Sequence, residues 1–443
     1  MRLIHTRTCR LQDFSQGEIP PYAILSHTWG EEEVSFQDMS SARCQRYKGY
    51  AKILQACKVA VRDGLEYIWI DTCCIEKASS AELIASINSM YAWYSDAEVC
   101  YVYLEDFEPD SDIEDSLPRC RWFTRGWTLQ ELLAPRYVEL YDKNWNFLGT
   151  KLDFVDGIST TTGIQRTVLL GGKAISDCSV AMRMSWAARR QTTRVEDMSY
   201  CLLGIFDIHM SLIYGEGTAA FRRLQEEIVK RNNDTTIFAW ENDLSQDQKL
   251  LGAWAPSPAS FKGSQATPFA QDFPNLSVTN KGILVSSDMH IRAVFTETCD
   301  ALRRKYSLEF DSYLLFLGHN ETHGDSGGIY LRKIGPDLFV SPRTLSYSPG
   351  DWRLPPDMIS LYRISTLYIR ICSLLSHIYT LYLPFSSLHI YISRILLIGE
   401  SVVTAQDNLQ GLDGQTLYRG KKVTERRTPN AMFLPTSLLG FTA

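Results

Sequence analysis

The chain has 443 residues, 45% of them hydrophobic and 22% charged, with a formal net charge of −6. That length can bury a large core in two domains or three, and the acidic balance offers no basic field to a phosphate backbone, which argues against nucleic acid as a partner. Eleven cysteines without a CxxC pair make neither a disulfide framework nor a zinc site and read as reduced thiols of a cytoplasmic protein.

The opening MRLIHTRTCRLQDF lacks an apolar core of signal-peptide length. YAILS (22–26) is the first predicted strand, and it delivers Ser26, His27, Thr28, Trp29 and Gly30 together where it stops. In open α/β sheets that carboxyl end is where ligands bind. GYAKILQACKVAVRDG (49–64) follows as a helix with Ile53, Cys57, Ala60 and Val61 on its apolar face, stopped by Gly64. YIWID (67–71) is strand two, and SSAELIASINSMYAWYSDA (79–97) a helix with Leu83, Ile84, Ile87, Met90, Tyr91 and Tyr94 at helical spacing. VCYVYL (99–104) is strand three, RGWTLQELLA (125–134) a short helix ended by Pro135, and YVELY (137–141) strand four. Apolar strands alternating with amphipathic helices predict an α/β, flavodoxin-like, mostly parallel sheet with helices on both faces over 1–150.

A helical extension is expected over 151–240. There Thr193-x-x-Glu196 has the spacing of a capping box. YGEG (214–217) reads as a turn rather than a phosphate loop, launching a helix with Phe221, Leu224 and Ile228 on one face. Short alternating runs such as NLSVTNKGILVS predict a β-rich second domain over 241–345. The tail, 346–443, is atypical. Within 358–400 the stretch from Ile371 to Ser393 carries no Asp, Glu, Lys or Arg, yet holds His377, Pro384, His389 and many hydroxyls. Translated non-coding sequence, a buried segment and a membrane span all remain open, with the span the least favoured by that composition.

YAILSHTW, YIWIDTCCIEK and RGWTLQELLAP in that order resemble the fungal heterokaryon-incompatibility (HET) domain, and RVEDMSYCLLGIFDIHMSLIYGEG resembles the segment that commonly follows it. The resemblance covers about 22–240. It implies a fungal protein acting in non-self recognition and programmed cell death, brought into assemblies by self-association or by a separate sensor protein. Larger members add a nucleotide-binding oligomerisation domain and WD40 repeats, neither of which is visible in this sequence.

A remoter similarity, to TIR domains, speaks to chemistry. YAILSHTWGEE stands where such domains begin, and Trp127-Thr-Leu-Gln-Glu131 matches their Trp-to-Glu spacing. Some TIR domains cleave NAD between nicotinamide and ribose with that Glu. The similarity therefore implies Glu131 as the catalytic carboxylate, with NAD a substrate rather than a resident cofactor. A carboxylate there would stabilise the positive charge that builds on the ribose. Ser26, His27, Trp29, Gly30 and Asp71 would line the nucleotide site, Trp29 by stacking and Gly30 by close backbone approach.

Each of these residues also has a plainer reading. Thr128-x-x-Glu131 is itself a capping-box spacing. His27 reads equally as a satisfied strand-end histidine, and Trp29, Trp122 and Trp127 as core or rim aromatics. Cys73 and Cys74 invite a thiol nucleophile with His27 as base, although no nucleophile signature surrounds them.

Overall fold

The computed structural model describes residues 1–240 except 110, residues 250–264 except 252, and eight strands between 275 and 369. A seven-stranded sheet dominates the first part. Its strands are β1 (Arg2–His5), β2 (Arg10–Asp13), β3 (Tyr22–His27), β4 (Tyr67–Trp69), β5 (Val99–Tyr103), β6 (Val138–Tyr141) and β7 (Phe147–Thr150), in the order β2-β1-β4-β3-β5-β6-β7.

The four central strands are parallel, with β3 between β4 and β5 and β6 beyond β5. All six residues of β3 are buried, as a parallel strand covered on both faces requires. The expected parallel core is therefore present, but the sheet as a whole is mixed. β1 runs antiparallel to β2 and β4, and β7 antiparallel to β6. These hairpin edges fall on MRLIHTRTCRLQDF and on NFLGT, where no strand was expected.

Helices α1 (Phe36–Met39), α2 (Lys48–Arg62), α3 (Ser80–Asp96), α4 (Ile113–Ser116) and α5 (Thr128–Leu133) lie between the strands. In α2, Ile53, Cys57 and Ala60 point inward as their spacing predicts, whereas Val61 is exposed. The helix ends at Asp63 and the left-handed Gly64, φ 78°. In α3, Ile87, Met90 and Tyr94 are buried, with Leu83, Ile84 and Tyr91 packed partly against the core. Successive residues of a strand point to opposite faces, and β3 shows the consequence. His27 meets Lys52 of α2, while Ser26 meets Glu131 of α5.

The following region is helical, as expected: α6 (Val155–Thr162), α7 (Arg166–Leu169), α8 (Val180–Ser185), α9 (Asp197–Tyr200) and α10 (Ala219–Arg231). Phe221, Leu224 and Ile228 of α10 are buried together. The Thr193–Glu196 capping box does not form. The helix α9 starts only after Glu196, and the Glu196 carboxylate accepts the amides of Gly215 and Gly217 at 2.8 and 3.0 Å, closing the YGEG turn. Both glycines are left-handed, φ 103° and 59°, which L side chains resist.

This layer is welded to the first sheet. Gly126 donates to the Gln191 carbonyl and Gln191 to that of Thr124, at 2.8 and 2.7 Å. A Cβ on Gly204 would collide with the side chain of Tyr91 in α3.

Nine further strands form a second sheet: β8 (Leu250–Leu251), β9 (Asn275–Thr279), β10 (Gly282–Ser286), β11 (His290–Val294), β12 (Ser312–His319), β13 (Ser326–Gly335), β14 (Leu338–Pro342), β15 (Leu361–Arg363) and β16 (Thr366–Ile369). Their pairing is antiparallel except for β14 with β16. The three readings of 358–400 fall almost wholly outside the described residues. No helix among the described residues is long and apolar enough to cross a membrane.

Candidate functional site at the carboxyl ends of the parallel strands

The residues leaving β3 divide between the two faces of the sheet. On one face Ser26, fully buried, donates to Glu131 Oε2 at 2.5 Å and accepts the Trp122 indole N–H at 2.7 Å. Tyr94 closes the same layer by donating to the Leu25 carbonyl at 3.1 Å.

The Thr128–Glu131 capping box is not made. Trp127 is already helical (φ −62°, ψ −35°), so Thr128 lies inside the helix. Its hydroxyl donates to the carbonyls of Trp122 and Arg125 instead. Glu131 is thereby free to reach Ser26. Burial pushes its carboxyl up to about 8, outweighing the Ser26 hydrogen bond and the nearby Arg190 guanidinium, which pull it down. At neutral pH the group is mainly the uncharged acid.

On the other face His27 is also buried. Its Nε2 lies 3.1 Å from Asp71 Oδ1, and its Nδ1 lies 2.8 Å from Lys52 Nζ and 3.1 Å from the Thr28 carbonyl. Lys52 in turn reaches Glu33 at 2.5 Å. Asp71 on one side and Lys52 with the Thr28 carbonyl on the other hold the ring at both of its nitrogens. Asp71 also accepts the Trp29 indole N–H at 2.8 Å. Burial would raise the Asp71 carboxyl, but the His27 and Trp29 hydrogen bonds and the Lys77 charge hold it down at about 2.

Trp29 remains half exposed, with the Lys77 ammonium 3.6 Å from the centre of its ring. That separation suits a cation–π contact. Arg121 donates to the Trp29 carbonyl at 2.9 Å. Gly30 donates its amide to Glu33 at 2.8 Å, completing a loop held from both sides.

Beyond this loop opens a cleft of about 970 Å³, with Trp29, Gly30, Lys52, Tyr103, Arg121 and Trp145 in its walls. Tyr103 and Trp145 stack at 4.8 Å, and Trp145 is held left-handed, φ 64°. Asp142 fixes that turn, accepting from the amides of Asn144 and Asn146 at 2.8 Å each. Of the six residues singled out from the sequence, Trp29 and Gly30 line the cleft. Ser26, His27, Asp71 and Glu131 do not. The expected single cleft is instead two networks separated by the strand itself.

Lys52, Glu33, Tyr103 and Trp145 escaped the sequence reading. Lys52 carried a faint signal, as a cation beside the apolar positions of α2. Cys73 and Cys74 are buried, and burial drives the Cys74 thiol well up. With both His27 nitrogens engaged elsewhere, the pair has no base beside it. Among the described residues no group of His, Cys, Asp and Glu side chains is arranged to hold a metal.

Residues 22–119 match the family described as heterokaryon incompatibility protein (HET). Residues 219–298 match a domain of unknown function, DUF8212. The chain is 49% identical over 229 residues to the vegetative incompatibility protein HET-E-1 of Podospora anserina. The matched stretch covers 49% of this chain and 17% of that protein, so the chain spans well under a fifth of its relative's length. No solved structure matches the chain.

Proposed function

We propose that the chain is a fungal vegetative-incompatibility protein whose HET domain acts as a signalling and interaction module in non-self recognition and programmed cell death. The identity over 229 residues to a vegetative incompatibility protein carries this reading. The module works in the cytoplasm and is brought into assemblies by self-association or by a sensor chain. Among the parallel strands the order, numbered along the chain, is 2-1-3-4. Flavodoxin-like sheets share that order, which supports the flavodoxin-like assignment and a remote TIR kinship.

The site geometry favours a module over an NAD-cleaving enzyme. Glu131 is 7% exposed, committed to Ser26 and absent from the cleft wall. An N-glycosidic cleavage needs an ionised carboxylate at the ribose, and here the acid is buried and mainly protonated. Inducible expression of the full chain in a filamentous fungus, with growth and cellular NAD followed together, tests the proposal. Growth arrest with NAD unchanged at its onset is expected. Unimpaired growth at verified protein levels would overturn the biological role. Early NAD loss, abolished by Glu131→Gln, would overturn the module in favour of the enzyme.

A further inference from the structure

We propose that Thr193 is a phosphorylation site whose phosphate is received by the Arg125 guanidinium. The inference does not rest on the function proposed above. Thr193 is exposed in the irregular segment between α8 and α9. Its hydroxyl oxygen accepts from both terminal nitrogens of Arg125, Nη1 at 3.3 Å and Nη2 at 3.4 Å. These are long bonds to a neutral oxygen. A guanidinium that brings two nitrogens to one point can instead hold two phosphate oxygens at once, which a lysine cannot.

The charge around the hydroxyl is one-sided. Arg189 and Arg194 flank Thr193 in the chain, and both are exposed. None of the ion pairs among the described residues involves Arg125, Arg189 or Arg194. The two acids that follow are committed elsewhere, Glu196 to the amides of Gly215 and Gly217 and Asp197 to the Tyr214 hydroxyl at 3.0 Å. The neighbouring hydroxyl is placed differently. Thr192 donates to the Arg194 carbonyl at 2.6 Å, and its methyl lies against Gly126.

The phosphoryl donor is ATP, held by an arginine-directed protein kinase, whose acidic substrate groove complements exposed arginines. Thr193 Oγ1 attacks the γ-phosphorus and the new O–P bond forms. The bond from that phosphorus to the β–γ bridging oxygen breaks, ADP leaves, and the hydroxyl proton passes to the base of the kinase. The product carries nearly two negative charges and three strong acceptor oxygens where Arg125 met a neutral hydroxyl. Arg125 precedes α5, and its carbonyl accepts from the buried Arg190 at 2.7 Å. The next residue, Gly126, is bonded to the Gln191 carbonyl. Phosphate on Thr193 therefore tightens the seam between the first sheet and the helical layer.

The full-length chain is incubated with magnesium ATP and the catalytic subunit of an arginine-directed kinase, and the phosphate is located by mass spectrometry. Thr193 is the expected site, and Thr193→Val is expected to abolish its labelling. Phosphothreonine placed at 193 by codon suppression reads the receiving group without any kinase. Its phosphate is expected to titrate below the ordinary value of about 6 in phosphorus NMR, and the melting temperature to rise by about 2 °C. Both effects are expected to vanish when Arg125→Gln is combined with the same phosphothreonine. Transfer to Thr192 in place of Thr193, or no transfer to Thr193, would overturn the modification. A phosphate at 193 that titrates ordinarily in the otherwise unaltered chain would overturn the role of Arg125, a result that stands alone should the Arg125 variant fold poorly.

Discussion

Ser26 and Glu131, 105 residues apart in sequence, meet in one buried hydrogen bond at 2.5 Å. A raised carboxyl favours the folded state at low pH and ceases to do so as pH climbs from the unfolded value through the folded one. For Glu131 that window runs from about 4.5 to about 8. The folded chain is therefore expected to lose on the order of 3 kcal/mol between pH 5.5 and pH 8 from this group. Glu131→Gln, which keeps an acceptor for Ser26 and cannot ionise, should remove that part of the slope. Urea titrations of parent and variant at the two pH values measure it.

Lys52 and Glu33 form an ion pair with side chains 10% and 14% exposed. Removing one member strands a buried charge, at a cost of roughly 3–5 kcal/mol. Lys52→Met and Glu33→Gln should each destabilise strongly, and the double variant by less than their sum. A double-mutant cycle from denaturant midpoints should give a coupling of about 1–3 kcal/mol. A coupling near zero would show that the two charges are already solvated.

Asp71 is the common acceptor of His27 and Trp29. Asp71→Ala leaves both donors without it and should cost about 2–3 kcal/mol. Hydrogen exchange should speed up over residues 27–33 before the rest of the sheet is affected. Asp71→Asn retains one carboxamide acceptor and should fall between Ala and the parent. The Asp71 carboxyl is held low, so its stabilisation is present above pH 4 and is lost between about 4 and about 2. It does not overlap the Glu131 window.

Gly204 lies against Tyr91 so closely that a Cβ would overlap the tyrosine's own Cβ and ring. Gly204→Ala is expected to lower stability by about 1–3 kcal/mol or more, as overpacking of a closed core does. Thermal melts of parent and variant check it. The companion change Tyr91→Gly should rescue more of the loss than Tyr91→Ala, because alanine keeps the Cβ that the new methyl would meet first.

What the sequence made legible was burial. YAILSH reads as an interior strand because every position is compatible with a core, and β3 is buried throughout. The apolar spacing of α2, α3 and α10 was equally direct. The hairpin edges were not legible. RLQD in β2 is mostly exposed and polar, and it is held by backbone pairing that composition does not record. Two capping-box spacings misled for different reasons: Trp127 already has helical dihedrals, so Thr128 lies inside its helix, while α9 begins only after Glu196, whose carboxylate is taken by the amides of Gly215 and Gly217. The site was half legible. Ser26 and Glu131 do meet, but alternation along β3 sends Ser26 and His27 to opposite faces. A list of neighbouring residues conceals that separation.

The family match ends at residue 119, but the interior it belongs to continues. Tyr91 packs on Gly204, Gln191 bonds to Gly126, Gln225 exchanges two hydrogen bonds with Ala255, and Ser264 donates to the Ala239 carbonyl. A hybrid gene spliced at 119, or even at 150, would inherit half a wall and none of its backing. The cassette that recombination could move intact therefore reaches to about residue 264.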